Sequence, residues 1–88
     1  MKLHSDFIMQ HIGDEAVLVP IGAAGERFHG VLRLNSSAAF LLRCLQQETD
    51  EAALLSAMEQ EYEGTPEQFR RSVDQTLEAL RSVGALQE

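Results

Sequence analysis

The side chains best suited to chemistry are three histidines and one cysteine. His4, His11 and His29 lie in different segments, and none has a second histidine or cysteine at the spacing that places two ligands on one face. A zinc site of the usual kind needs such a set of nitrogen and sulfur ligands. Cys44 is the only cysteine, so no intrachain disulfide can form, and its apolar helical context is typical of a small buried side chain.

Acidic residues concentrate between Glu48 and Glu63, where six carboxylates occur without a base. The order of residues that an EF-hand calcium loop requires is absent, so this run indicates a solvated helix face. Gly22 and Gly25 are not followed by the Gly-Lys pair of a phosphate-binding loop. Because no nucleophile, base and orienting group lie together, we predict that the protein is not an enzyme and requires no metal or cofactor.

The charge of the chain also restricts its partners. Its 88 residues contain 7 lysines and arginines against 14 acidic residues, a formal charge of −7. Residues 36–88 hold ten of the acids and four of the bases. Nucleic acids and anionic membranes both attract basic surfaces, so neither is an expected partner. A chain of this length is predicted to form one domain, residues 1–88.

No stretch approaches the roughly 20 apolar residues that span a bilayer. The first ten residues, MKLHSDFIMQ, lack the apolar run of a signal peptide. The expected location is therefore the cytoplasm.

The first third of the chain has the patterns of strands. We predict strands over about residues 7–12, 15–19 and 27–34, with a tight Gly13-Asp14 turn between the first two. Residues 1–6 are expected to be a loose terminus and residues 21–26 a connection. The simplest arrangement is an antiparallel three-stranded meander, in which the third strand turns Phe28, Gly30, Leu32 and Leu34 to one face and His29, Val31 and Arg33 to the other.

The period of the apolar residues changes from 2 to 3.6 at Leu34-Asn35-Ser36, which predicts a strand followed directly by a helix. Helices are predicted over about residues 36–46, 50–62 and 66–83. Asn35 or Ser36 caps the first and Thr49 or Asp50 the second. The third has the strongest start signal, a Thr65-x-x-Gln68 capping box with Pro66 in the first turn.

The third strand ends such a meander and would leave one row of backbone groups unpaired, beside the helices. An edge next to an apolar helix suits a peptide that adds as a further strand. Three other outcomes are equally open at this point. The edge could be closed by residues 85–88, by the 21–26 connection, or by pairing with a second copy of the chain.

An ordered set of apolar positions covers nearly the whole chain, from about Phe7 to Leu86. It consists of Leu34-Asn35-x-x-Ala38-x-x-Leu41-Leu42-x-x-Leu45, Thr49-x-x-x-x-Leu54-x-x-x-Met58-x-x-x-Tyr62, and Val73-x-x-x-Leu77-x-x-Leu80-x-x-x-Gly84-x-Leu86. This set resembles the PqqD-like family, the peptide chaperones or RiPP recognition elements. The chain departs from the family at Ser72, where an acidic residue is often found, and at Gln46–Glu48, where the family often has a glycine.

The resemblance implies an α+β, winged helix-turn-helix-like fold, with a three-stranded antiparallel sheet followed by three helices. It implies a module that captures the leader of a ribosomally made precursor peptide on its third strand. The module then presents that peptide to a maturase, often a radical SAM enzyme. Carried onto this chain, the peptide-binding positions are Phe28, His29, Val31, Leu32, Arg33, Phe69, Arg70, Val73, Asp74 and Leu77.

Each of these positions also has a simpler interpretation. The apolar ones on the strand and on the last helix could face the core, and Arg70 with Asp74 could be a surface ion pair at i, i+4. Two other functions stay open, a winged-helix DNA-binding domain and an assembly domain that pairs with itself as a homodimer.

Overall fold

The computed structural model describes residues 1–13, 15–27 and 29–88 of the chain. Strands β2 (Phe7–Ile12), β3 (Glu15–Pro20) and β4 (Leu32–Leu34) form an antiparallel sheet in the order β2-β3-β4. Helices α2 (Ser36–Cys44), α3 (Glu51–Glu61) and α4 (Pro66–Ser82) follow it. The predicted α+β class with a three-stranded antiparallel sheet is thereby confirmed.

The turn between β2 and β3 contains Gly13, whose φ of 63° lies in the left-handed region that glycine adopts without strain. The strands pair in register from Phe7 opposite Pro20 to Ile12 opposite Glu15. β4 pairs with the other side of β3, and Ala16 lies opposite Leu34. β3 is therefore the central strand.

The predicted third strand, residues 27–34, is wrong in its first part. Residues Gly22–Arg27 form a short helix, α1, whose Ala24 is buried, so Arg27 ends a helix and does not begin a strand. Gly30 has φ 137°, a conformation that does not continue a strand. The strand therefore begins only at Leu32, while Phe28 lies outside the described residues.

The expected loose terminus at residues 1–6 is also wrong. β1 (Lys2–Leu3) pairs antiparallel with β5 (Leu86–Gln87) in a second, two-stranded sheet. The Leu3 amide donates to the Leu45 carbonyl at 2.8 Å, and the His4 amide donates to the Ala85 carbonyl at 2.7 Å. The first residues thus join the end of α2 to the end of the chain.

The predicted helix starts are confirmed, and the two alternatives are resolved. The Asn35 side chain accepts from the Ala38 amide, and that of Asp50 accepts from the Ala53 amide. Both halves of the capping box at Thr65 are present. Each cap supplies a partner for backbone N–H groups that the first turn of a helix leaves free.

One apolar core lies between the inner face of the sheet and the three long helices. Its fully buried side chains include five leucines and a valine from the helices, together with one leucine from β3: Leu41, Leu42, Leu54, Leu77, Leu80, Val73 and Leu18. Burial of a side chain of this size stabilises the fold by roughly 1.5–3 kcal/mol. This core holds α4 at a fixed position beside the sheet.

Candidate functional site

β4 has one paired edge and one edge without a strand partner in the part of the chain that the structure describes. The C-terminal tail does not close this edge, because β5 pairs with β1. Neither does the 21–26 segment, which folds into α1 beside β3. Two of the three closures left open by the sequence are thereby removed, and pairing with a second copy of the chain is the one that remains.

A groove of about 160 Å³ lies between the end of β4, the start of α2 and one face of α4. Its lining comes from all three elements: Leu32, Arg33, Leu34 and Asn35, then Ser37 and Ala38, then Ser72, Gln75, Thr76, Ala79 and Leu80. The free edge and the groove thus lie side by side.

Three of the five α4 residues that line the groove have small side chains. Ser72, Thr76 and Ala79 recur at i, i+4 and i+7, a spacing that places them on one helix face. Leu80 is fully buried and Thr76 nearly so, while Ser72 and Ala79 are half-buried. A leucine or phenylalanine at these positions would fill the space beside the strand.

Leu32 and Arg33, two of the predicted strand positions, line the groove. Leu32 is half-buried and also contacts the core, whereas Arg33 is exposed. His29 and Val31 lie just before β4 and are exposed, Val31 to 53%. Phe28 lies outside the described residues. The strand half of the predicted site is thus brought to the free edge, but over a shorter segment than 27–34.

Three of the predicted helix positions lie in the core instead of the groove. Phe69, Val73 and Leu77 are 7%, 0% and 1% exposed and belong to the central apolar cluster. Their side chains have the burial that the simpler interpretation expected. The groove uses the neighbouring face of the same helix, which the sequence reasoning missed.

Arg70 and Asp74 lie on the outer side of α4. The Arg70 guanidinium is 3.9 Å from the Glu51 carboxylate on α3 and 4.0 Å from that of Asp74. All three side chains are about half exposed, so these pairs contribute only on the order of 0–1 kcal/mol. Neither Arg70 nor Asp74 lines the groove.

The residues first considered for chemistry do not assemble. No group of three or more histidine, cysteine, aspartate or glutamate side chains that could hold a metal occurs within the described ranges. The His4 Nδ1 accepts from the Asp6 amide, and His11 is exposed on β2. Burial raises the pKa of the Cys44 thiol, and the nearby positive charge of Arg43 only partly opposes this effect. A raised pKa disfavours the thiolate, which is the nucleophilic form of cysteine.

The fold is a three-stranded antiparallel sheet packed against helices, and the candidate site is the free β4 edge beside the groove on α4. Residues 15–86 match the family model of coenzyme PQQ synthesis protein D (PqqD), and the chain belongs to that family. Its fold is similar to a solved structure of TbiB1 in complex with the TbiA(beta) leader peptide. The TM-score is 0.77 at 21% identity, over 99% of this chain and 95% of the other.

A search among curated proteins gives no match to this sequence. In the described part of the chain, no helix has the length and apolar character needed to cross a membrane.

Proposed function

We propose that this chain is a non-catalytic module that binds the leader segment of a ribosomally synthesised precursor peptide. The leader adds as a strand to the free edge of β4, and one of its side chains enters the groove against α4. The observation that carries this proposal is the unpaired β4 edge beside a groove of about 160 Å³. Membership of the PqqD family and the leader peptide bound to TbiB1 support it.

The short length of β4 limits what backbone pairing alone contributes. Three residues can share on the order of three hydrogen bonds with a guest strand, each worth roughly 0.5–1.5 kcal/mol net. Micromolar binding needs about 8 kcal/mol. Burial of one apolar side chain in the groove adds roughly 1.5–3 kcal/mol, which leaves part of that free energy to other contacts. The leader is therefore expected to pair with β4, to place at least one side chain in the groove, and to contact further residues of the chain.

Among the predicted positions, Leu32 and Arg33 remain in this proposed site, with His29 and Val31 at its approach. Phe28 also remains as a proposed position. Phe69, Val73 and Leu77 contribute by holding α4 in place, while Ser72, Gln75, Thr76 and Ala79 make the helix side of the groove. Arg70 and Asp74 lie outside it.

The bound peptide is presented to a modifying enzyme, for which the family resemblance favours a radical SAM maturase. The domain itself supplies no reaction and needs no cofactor. Ribosomal precursors arise in the cytoplasm, which is the proposed location. A short precursor reading frame and a maturase gene beside this gene would support this assignment, and an unrelated gene neighbourhood would contradict it.

The test is to fill the groove with Ser72→Tyr and compare it with Ser56→Tyr, an exposed position on α3. The probe is a synthetic, fluorescein-labelled leader peptide of the precursor that is encoded beside this gene. Its binding is measured by fluorescence anisotropy. Ser72→Tyr is expected to weaken binding at least tenfold, whereas Ser56→Tyr leaves it unchanged. Equal affinities for the two variants would overturn the groove as the binding site.

A homodimer formed through the same edge would compete with the peptide, because β4 can accept only one further strand. Sedimentation at several protein concentrations, with and without the labelled leader, separates the two states. A dimer that persists at saturating leader would contradict binding at this edge.

A further inference from the structure

A second groove, of about 250 Å³, opens where the hairpin end of the sheet meets α2 and the end of α3. Its floor is made of small or half-buried side chains, Ala16, Leu34 and Ala39. His11, Arg43 and Tyr62 stand around it. Among residues 1–13, 15–27 and 29–88, no acidic side chain lines it, although the chain has twice as many acidic residues as lysines and arginines.

The Arg43 guanidinium at this groove lies over an aromatic ring. Its guanidinium carbon lies 5.8 Å from the centre of the Phe40 ring, within the range of a cation–π contact. Phe40 in turn meets Tyr62 edge to face, with ring centres 5.6 Å apart. Among the described residues, the ion pairs use Arg70, Arg81 and the N-terminal amine, and none uses Arg43. Within the part of the chain that the structure describes, the guanidinium thus has no carboxylate partner.

The second groove shares two lining residues with the first. Leu34 and Asn35 line both grooves, and the first turn of α2 separates them. Ser37 lines the first groove and Ser36 the second. For one peptide to occupy both grooves, its chain has to continue from the β4 edge past Asn35 and around the first turn of α2.

We propose that this second groove binds an aspartate or glutamate of the same peptide, with Arg43 as the charged partner and His11 and Tyr62 as further hydrogen-bond donors. This inference rests on the proposed function. Arg43 lies seven residues after Ser36 on α2, about 10 Å along the helix axis at 1.5 Å per residue. An extended chain covers that distance in about three to four residues. The acidic residue is therefore expected about three to four positions outside the segment that pairs with β4, always on the same side.

The test begins with a displayed library of 24-residue peptides selected on the full chain. Among peptides that Ser72→Tyr no longer binds, an acidic residue is expected at a fixed distance from the apolar residue that occupies the first groove. One selected peptide is then synthesised in two forms, one with the acidic residue and one with the corresponding amide (Glu→Gln or Asp→Asn). The affinity of each form is measured for the unchanged chain and for its Arg43→Gln and Arg71→Gln variants.

Arg71 is the matched control, because it is exposed on the outer side of α4 and its removal changes the net charge equally. Arg43→Gln is expected to weaken binding of the acidic peptide about 2- to 5-fold, as expected for one exposed charge pair, and to leave binding of the amide peptide unchanged. Arg43→Lys should retain part of the preference, and Arg71→Gln should retain all of it.

The outcomes separate this inference from the proposed function. The inference about the second groove alone is overturned if peptides that require the first groove show no preference for an acidic residue. It is also overturned if these peptides bind Arg43→Gln and Arg71→Gln with equal affinity. A selection that yields no micromolar binder, or only peptides indifferent to Ser72→Tyr, overturns the proposed function and this inference with it.

Discussion

Ser72 and Val73 are neighbours in the chain, yet their side chains lie on different faces of α4. Val73 is fully buried in the core, whereas Ser72 faces the groove. Successive residues of a helix point about 100° apart, so a shift of one position changes the surface that a side chain meets. Small side chains at Ser72, Thr76 and Ala79 leave the groove open, and large ones at Val73 and Leu77 fix the helix that carries it.

Because one face of α4 packs in the core and another lines the groove, two nearby substitutions are expected to affect stability and leader affinity in opposite ways. Leu77→Ala removes a buried side chain and is expected to lower the free energy of unfolding by about 2–5 kcal/mol, with little change in leader affinity at a temperature where it is folded. Gln75→Ala, on the groove rim, should change stability by less than about 0.5 kcal/mol but weaken the leader. Urea unfolding and anisotropy measure the two quantities. If Leu77→Ala weakened leader binding and Gln75→Ala did not, the leader would not bind at the groove face of α4.

The single thiol gives a test of pH dependence. Burial raises the pKa of Cys44, so its thiolate fraction at neutral pH is below that of an ordinary cysteine. Since the thiolate is the reactive form, alkylation by iodoacetamide at pH 7.5 should be slower than alkylation of glutathione and should accelerate as the pH rises through the raised pKa. A reaction faster than that of glutathione would show that Cys44 is activated.

At the scale of elements, local signals predicted the helices well. The capping box at Thr65 and the side-chain caps at Asn35 and Asp50 each lie within three residues of the amide that they bind, so the sequence contains the whole interaction. The change of period at Leu34-Asn35-Ser36 likewise marks where β4 ends and α2 begins.

The strands of the β2–β3 hairpin were predicted close to their observed bounds, but the other strands were harder to predict because their pairing is not local. β1 and β5 have two residues each and come from opposite ends of the chain, which leaves no periodic pattern to detect. The alternation at residues 27–34 suggested one long strand, but α1 and the positive φ of Gly30 interrupt it. The groove face of α4 was missed because apolar spacing identifies the core stripe. The small residues at i, i+4 and i+7 were the available signal.

The pairing of β1 with β5 predicts protection from hydrogen exchange at the start of the chain. The Leu3 and His4 amides, which donate to Leu45 and Ala85, should exchange far more slowly than an unstructured peptide. Amide exchange followed by NMR measures this directly. Exchange at the unstructured rate would mean that residues 1–6 are the loose terminus that the sequence suggested.

For the whole molecule, charge separates peptide binding from nucleic-acid binding. The last helix of a winged helix can read DNA, but the outer side of α4 mixes Arg70 and Arg71 with Glu67, Asp74 and Glu78 on a chain with a net charge of −7. Most affinity for DNA comes from basic groups at phosphates. We expect no salt-sensitive binding to a mixed-sequence duplex in an anisotropy assay at 50 mM salt. Tight binding that falls with added salt would restore the DNA-binding alternative.

The measurement that most directly tests strand addition at β4 is an NMR titration of the labelled chain with the leader peptide. The account predicts that amide shift changes concentrate at Leu32–Asn35 and at Ser72, Gln75, Thr76 and Ala79, and that some β4 amides become protected from exchange as they pair with the guest strand. Changes concentrated instead on the outer side of α4, at Glu67, Arg71 and Glu78, or along β2, with β4 unaffected, would contradict it.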